Sequence, residues 1–223
     1  MAELDVERIA AAALAVADER GAAGFTMRAV ADALGVSPMA LYHHVEDKAA
    51  LAALVVEAAL NERELPVPSG QSWQDGLYEM ALWTREMWLA HPGITRIRNE
   101  HHVWWTPTMF AVAERWVNLW QQSGLDLDDA LAAAATSSLA ISGAVDAETA
   151  VESVDLPDLS ALKWTPGARA LFSRHLDPAA DFELLVRSVI DGLFARLSQQ
   201  AGQASGYASA PAKRATASAR SRA

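Results

Sequence analysis

The chain has 223 residues, of which 52% are hydrophobic and 21% charged, so it has enough apolar material for a sizeable core and is not disordered as a whole. The absence of cysteine excludes disulfide scaffolds, thiolate metal sites and cysteine nucleophiles. The formal net charge of −10 argues against a protein that coats nucleic acids non-specifically.

The beginning of the chain lacks the basic start and apolar run of a signal peptide. The longest uncharged stretch, residues 130–145, is shorter than the roughly 20 residues that a membrane-spanning helix needs. We therefore expect a cytoplasmic protein with no membrane segment.

Four helices are predicted before residue 65, because apolar residues recur with the 3.6-residue period of a helix and capping residues interrupt the pattern. Thr26 and Ser37 stand at N-cap positions, Pro38 at a first helical position and Gly35 at a helix end. The predicted helices run from Val6 to Gly21 or Gly24, from Met27 to Gly35, from Pro38 to about His44, and onward from Glu46 and Asp47.

A larger helical region follows a break at residues 65–70, where prolines and a glycine interrupt the pattern. Residues 200–223 contain four Lys or Arg and no acidic residue, and we expect them to form a disordered basic tail. The resulting fold class is all-α, with predicted domains at 1–64 and 71–199. The helices predicted in the second domain are Trp73–Ala90, Pro107–Ser123, Leu127–Ala150, Ala168–His175 and Ala179–Gln199, with a loop at about 152–165.

The segment Thr26–Lys48, TMRAVADALGVSPMALYHHVEDK, predicts a helix-turn-helix because two short helices meet at Gly35. The apolar residues that we expect beneath the motif are Val30, Leu34, Leu41 and Val45. A recognition helix presents its N-terminal residues to base edges, while hydroxyls, cations and helix N-termini hold phosphates. The candidate DNA-contacting residues are Thr26, Arg28, Ser37, Pro38, Met39, Ala40, Tyr42, His43, His44 and Lys48.

This segment resembles the TetR family of repressors. The family pattern is matched at residues 31–37 (ADALGVS), at residues 40–44 (ALYHH) and at Lys48. The resemblance implies that Tyr42 and Lys48 contact phosphates. It also implies that the groove or its walls are lined by Arg28, Pro38, Met39, Ala40, His43 and His44. A weaker similarity to the C-terminal domain of tetracycline repressors extends over the rest of the chain, at 121–125, at 128–131, at Gly143 and at 181–193.

Charge complicates the DNA-binding prediction. Residues 1–65 contain 5 Lys or Arg against 11 Asp or Glu, so we expect few phosphate contacts per subunit. Arg28 could also pair with Asp32, four residues further on, and the two roles can alternate.

Tryptophan is concentrated in one part of the second domain, since seven of the eight lie between Trp73 and Trp120. Apolar walls with a few polar groups are typical of a small-molecule pocket, although tryptophans can also simply pack an all-α core. The candidate ligand-binding residues are Trp83, Met87, His101, His102, Trp104, Trp105, Met109 and Trp116.

Neither a metal nor a cofactor is predicted. His91, His101, Glu148 and His175 could lie near one another, but no tight ligand spacing exists. An enzyme remains an alternative. Its candidate catalytic residues would be Glu100, His101, His102, Ser137 and Ser138. No nucleophile elbow, phosphate loop or metal signature supports it. Another alternative is a regulator that senses a protein partner or no ligand.

The last predicted helix is apolar on two adjacent bands, and this surplus suggests an interface. The residues predicted for it are Val186, Ile190, Leu193 and Phe194. The TetR resemblance implies a dimer built from this helix and the Leu127–Ala150 helix of each subunit, although a buried central helix in a monomer is the alternative. We therefore expect a homodimeric repressor that a small apolar or amphipathic ligand releases from a palindromic operator.

Overall fold

The computed structural model describes residues 4–67, 72–151, 165–167 and 177–208, and no strand occurs among them. The fold class is all-α, as predicted. The helices, in chain order, are α1 (Val6–Gly24), α2 (Met27–Leu34), α3 (Pro38–Tyr42), α4 (Lys48–Asn61), α5 (Trp73–Ala90), α6 (Pro92–Glu100), α7 (Pro107–Gln121), α8 (Leu127–Val151) and α9 (Pro178–Ala208). The predicted helix Ala168–His175 lies outside the described residues.

The short N-terminal helices begin where the sequence predicts them, because a side-chain oxygen accepts a backbone N–H bond at each start. The oxygens of Thr26, Ser37 and Asp47 accept from residues three positions further on, at 3.1, 3.2 and 2.7 Å. Gly35 ends α2 in a left-handed conformation with φ of 69°, which glycine adopts without steric cost. The third helix is shorter than predicted and ends at Tyr42.

The N-terminal core is built from buried apolar residues of α1, α2, α3 and α4. Phe25, Val30, Leu41 and Leu51 are fully buried, and Val45 nearly so. Three of the four residues predicted to lie beneath the helix-turn-helix are thus buried, and Leu34 is partly buried. This packing holds α3 in place, since a helix of five residues has little stability of its own.

Helix α6 is the one helix of the described residues that the sequence analysis missed. The sequence His91-Pro92-Gly93 suggests a helix end, but Pro92 is the first residue of a new helix. Gly93 has a packing role, because a Cβ there would lie 3.0 Å from the carbonyl oxygen of Ala17. The glycine therefore lets α6 pack closely against α1. This contact between α1 and α6 joins the two domains.

Helix α9 packs against both α5 and α8. Val186 and Ile190 are 0% and 2% exposed, so their prediction as dimer-interface residues is wrong: they have no surface left to bury against a partner. This helix has apolar residues on two adjacent faces because it packs against two other helices, α5 and α8. Leu193 and Phe194 remain partly exposed, and for them the interface role stays a prediction.

The end of α9 also differs from the prediction. The helix continues to Ala208, whereas the sequence analysis ended it at Gln199 and assigned 200–223 to a disordered tail. That assignment is wrong for residues 200–208, which are helical. Residues 209–223 lie outside the described residues.

Helix α8 is apolar and long, and residues 127–149 have the length and composition of a membrane span, with a mean hydropathy of 1.3. The core helix of a water-soluble protein has the same properties. The helix contacts α5, α7 and α9. These contacts favour a core helix.

Candidate nucleic-acid interface and ligand cavity

The outer surface of the helix-turn-helix carries the residues that the sequence analysis proposed for DNA. Met39 is 68% exposed and Tyr42 49% exposed, although both are large apolar or aromatic side chains. Pro38, His43 and His44 are also exposed, and Ala40 is partly exposed. A group of exposed side chains of this kind is typical of a surface that contacts another molecule.

Two hydroxyls at this surface have a double role. The oxygens of Thr26 and Ser37 accept backbone N–H bonds at the starts of α2 and α3. Their O–H groups remain able to donate, because a hydroxyl is both donor and acceptor. Each helix start therefore presents a hydroxyl donor beside free backbone N–H groups, which is a suitable arrangement for a phosphate oxygen.

The two cations of the motif differ in their surroundings. The Arg28 side chain is 85% exposed, and its Nε lies 3.9 Å from a carboxylate oxygen of Asp32, so the predicted pairing exists but is loose. Lys48 is half-buried, and its ammonium lies 5.7 Å from the centroid of the Phe25 ring. The Phe25 ring therefore restricts Lys48, whereas Arg28 is free to turn toward DNA.

Five tryptophans of the second domain converge around a cavity of about 500 Å³. Its lining residues come from α4, α5, α6, the α6–α7 connection, α7 and α8. They are Leu60, Trp83, Thr84, Met87, Trp88, Arg98, Trp104, Trp105, Met109, Val112, Ala113, Trp116, Ser138, Leu139, Ile141 and Ser142. The volume lies within the range of small-molecule sites.

Six of the eight residues proposed for the ligand line this cavity: Trp83, Met87, Trp104, Trp105, Met109 and Trp116. Trp83, Met87 and Trp116 are buried in its wall, whereas Trp104 and Trp105 are 58% and 61% exposed. The Trp105 ring stacks on Phe110 with centroids 4.8 Å apart, so these rings lie at the cavity mouth.

The two remaining proposals, His101 and His102, are wrong as cavity residues. The His101 ring packs toward Phe25 of the DNA-binding domain, with centroids 6.5 Å apart, and burial together with the nearby Lys48 charge lowers its pKa. His102 has a φ of 54° and forms the left-handed turn that ends α6. His101 therefore belongs to the contact with the DNA-binding domain, whereas the His102 ring stacks on Trp104 of the cavity lining, with centroids 6.3 Å apart.

Arg98, which the sequence analysis did not select, is the charged residue of the lining. Its guanidinium carbon lies 4.8 Å from the centroid of the Trp88 ring. Burial lowers the pKa of Arg98, and the attraction of Asp146 opposes that shift. The missed signal was the pair of isoleucines Ile94 and Ile97, whose spacing indicates a helix that also carries Arg98.

A groove of about 610 Å³ between α1 and α4 is larger but has a different character. It is lined by small aliphatic residues and by four carboxylates, those of Glu7, Asp18, Glu57 and Glu62. Three of these carboxylates already hold polar partners in the second domain. The tryptophan-lined cavity is therefore the better candidate for a ligand site.

Among the described residues, polar contacts join the DNA-binding domain to the second domain in three places. The Glu57 carboxylate of α4 accepts from the Thr108 backbone N–H at 3.1 Å and from its hydroxyl at 2.7 Å. The buried His91 ring contacts Asp18 at 3.0 Å and Glu62 at 3.2 Å. In the third place, Arg63 pairs with Glu86.

The first of these contacts, between Glu57 and Thr108, adjoins the cavity. Burial alone would raise the pKa of Glu57, but hydrogen bonds from Thr106, Thr108 and Asn61 together lower it. Met109 follows Thr108 and lines the cavity, and Leu60 of α4 lines it as well. The cavity thus adjoins α4, the helix that begins at Lys48.

The residues proposed for an enzyme or a metal have other partners. Ser137 is buried, donates to the Ala133 carbonyl at 2.7 Å and accepts from the Trp120 indole at 3.3 Å. Glu148 pairs with Arg85, which raises the pKa of that arginine. Among the described residues, no three His, Asp or Glu side chains form a cluster that could hold a metal, and His175 lies outside them.

Two family models match the chain and together cover most of it. Residues 9–55 match bacterial regulatory proteins of the tetR family, and residues 65–197 match the tetracyclin repressor-like C-terminal domain. The chain belongs to the TetR family. TetR-family proteins are DNA-binding transcription regulators rather than enzymes, which is the class that the sequence resemblance implied.

Individual relatives agree with this membership. The class E tetracycline repressor of Escherichia coli is 31% identical over 160 residues, which cover 70% of this chain and 74% of the relative. The TetR-family protein ActR of Streptomyces coelicolor, in complex with (S)-DNPA, has a TM-score of 0.69 and 30% identity, covering 87% of this chain and 99% of that one. A TetR variant of Acinetobacter baumannii AYE in complex with minocycline has a TM-score of 0.66 and 30% identity, covering 87% and 98%.

Proposed function

We propose that this TetR-family protein is a homodimeric, cytoplasmic repressor that a small-molecule effector releases from a palindromic operator. The observation that carries the proposal is the juxtaposition of two sites on one helix. Lys48 begins α4 beside the exposed recognition surface, and Leu60 of the same helix lines the cavity. Twelve residues of α-helix separate these side chains by about 18 Å.

DNA binding would use the exposed face of α3 and the starts of α2 and α4. The N-terminal residues of α3 would face base edges, with Met39 and Ala40 suited to apolar contact with thymine methyl groups. Tyr42, Lys48, Thr26 and Ser37 would hold phosphates. Because the first 65 residues are acidic in balance, few contacts would carry the affinity.

The dimer interface would lie on the exposed side of α8 and α9. The exposed leucines there are Leu127, Leu131, Leu139 and Leu184. Gly143 and Gly192 adjoin open space, so a partner helix could approach closely at both. Burying this face against the same face of a second subunit would remove apolar surface from water. It would also set the distance between the two recognition helices.

Release would act through the shared helix α4. Two recognition helices must lie about 34–36 Å apart to reach successive major grooves. An effector that pushes on Leu60 and Met109 would move α4 relative to α7 and change that distance. Such an effector prefers the conformation with the wrong spacing and so reduces the DNA-binding population.

Selection from a random duplex library tests the proposal. The full chain should enrich a palindrome with half-sites one helical turn, or about 10 bp, apart. Tyr42→Ala should enrich none, while Arg96→Gln, which removes an exposed cation on α6, should enrich the same palindrome. Enrichment of no sequence by the native chain would overturn the proposal.

Enzymatic activity is the alternative function, but no observation on the described residues favours it. Ser137 is already bonded to its own helix and to Trp120. His101 packs against the DNA-binding domain. We therefore propose a single function.

A further inference from the structure

Building on the proposed effector site, we propose that the effector is a flat aromatic molecule with an anionic oxygen group, and that Arg98 binds that group. The proposal specifies the chemistry of the ligand rather than its presence. It stands on the position of one cation in an otherwise uncharged cavity.

Arg98 is half-buried at the cavity wall, and it forms no close ion pair among the described residues, although Asp146 attracts it from a longer distance. Its Nε and one of its terminal nitrogens each lie 3.3 Å from the side-chain oxygen of Asn99, which is a neutral acceptor. Three nearby arginines, by contrast, form ion pairs with carboxylates. These are Arg63 with Glu86, Arg85 with Glu148 and Arg96 with Glu100. Arg98 differs from them in facing the cavity.

A partly buried cation is stabilised by an anion or by several acceptors, because burial removes the water that would otherwise solvate it. The Trp88 ring supplies part of this stabilisation, since the guanidinium lies over it at 4.8 Å. This contact also restricts the position of the guanidinium. Because Nε and one terminal nitrogen already donate to Asn99, the N–H groups left for a planar carboxylate or similar oxyanion are those of the two terminal nitrogens.

The other lining residues would not repel an anion. Apart from Arg98, the cavity lining contains no charged side chain, and its polar groups are the tryptophan indole N–H groups and the hydroxyls of Thr84, Ser138 and Ser142. The Thr84 hydroxyl already donates to the Met80 carbonyl at 2.8 Å. The Trp83 indole N–H is buried without an acceptor in the described part of the chain, so a donor stands in the same wall.

The remainder of the site favours aromatic rings. Five tryptophans line a cavity of about 500 Å³, two of them at its mouth. Flat rings bury much area against indole faces and gain stacking geometry as well. A flat body with one oxyanion would thus match both parts of the cavity.

A matched pair of fluorescent probes tests the proposal on the full chain. The anionic probe is 1-anilinonaphthalene-8-sulfonate, and the neutral probe is N-phenyl-1-naphthylamine, which has the same rings without the sulfonate. Arg98→Gln should lower the affinity for the anionic probe at least about tenfold, as expected when a charged hydrogen bond is lost. It should lower the affinity for the neutral probe less than about twofold. Arg96→Gln is the matched control and should change neither affinity.

Each departure from this pattern contradicts the proposal. Equal weakening of both probes by Arg98→Gln would mean that Arg98 acts by packing alone. Equal weakening of the anionic probe by Arg96→Gln would mean that general surface charge is responsible. Unchanged probe binding after Ala113→Phe, which fills the cavity, would place the anion site elsewhere.

The proposed regulatory function can fail independently. If the duplex selection finds no operator but Arg98 still governs the anionic probe, the ligand chemistry holds and the repressor proposal is wrong. If an operator is found and the anionic probe is insensitive to Arg98, the repressor proposal holds and the anion assignment is wrong.

Discussion

The helix-turn-helix and the ligand cavity are built in opposite ways. The DNA-contacting candidates lie within the contiguous segment 26–48, and each helix start is fixed by a side chain three residues away. The cavity takes residues from position 60 to position 142 and from five helices. A site formed by neighbours in sequence can be recognised by pattern, whereas a convergent site depends on how distant helices pack.

The largest effect should separate buried from exposed positions on α9. Ile190→Glu places a carboxylate at a site that is 2% exposed, so we expect a loss of several kcal/mol and unfolding. Leu184→Glu changes a residue that is 66% exposed and should give a folded monomer. Thermal unfolding by circular dichroism and light scattering measure the two outcomes, and a dimeric Leu184→Glu chain would move the interface elsewhere.

Next in size is the loss of the proposed phosphate contact of Tyr42. Tyr42→Ala should weaken operator binding by about 3 kcal/mol for a dimer, because a hydrogen bond to a charged group is lost in both subunits. The melting temperature should change little, since the side chain is 49% exposed. Tyr42→Phe keeps the ring and should weaken operator binding nearly as much in a gel shift. Full affinity with phenylalanine would mean that the ring, not the hydroxyl, makes the contact.

Lys48→Ala should weaken binding to every DNA sequence about equally. Removing one phosphate contact per subunit reduces the slope of log affinity against log salt by about one for each contact. Fluorescence anisotropy at several salt concentrations measures this slope. An altered sequence preference at constant slope would contradict the phosphate role.

A smaller effect should connect the two regions. Thr108→Val removes the hydroxyl that donates to Glu57 at 2.7 Å, and it should lower the coupling between ligand and operator by about 1 kcal/mol. The measurement compares the affinity for 1-anilinonaphthalene-8-sulfonate with and without operator DNA. Thr149→Val is the control, because the Thr149 hydroxyl donates to carbonyls of its own helix. Equal losses in the two variants would contradict a specific role of the Glu57 contact.

The smallest effect concerns pH. Because hydrogen bonds lower the pKa of Glu57 in the folded chain, its carboxylate stabilises the fold at pH values above its ordinary pKa of 4.5. This contribution is lost as the pH falls through the lowered folded value. Thermal unfolding between about pH 6 and pH 3 should therefore show a steeper loss for the native chain than for Glu57→Gln. Parallel curves would show that the contact does not depend on the charge.

The sequence by itself determined the all-α class, the family and the DNA-binding segment. Thr26, Ser37, Pro38 and Gly35 act within three or four residues of chain, so their effects are local and visible in the pattern. The helix Trp73–Ala90 was also predicted with its observed bounds, because the following His-Pro-Gly sequence marks its end, and the structure shows that Ser72 caps its start.

The tertiary structure decided which apolar and polar residues face a ligand, a partner or the core. Pro92 begins a helix that the sequence alone suggested had ended, and that helix turns Arg98 toward the cavity and His101 toward Phe25. Val186 and Ile190 are apolar, as the residues of a dimer interface often are, but α5 and α8 cover them. Periodicity shows that a helix has an apolar face, but which neighbour covers that face depends on contacts between residues far apart in the chain.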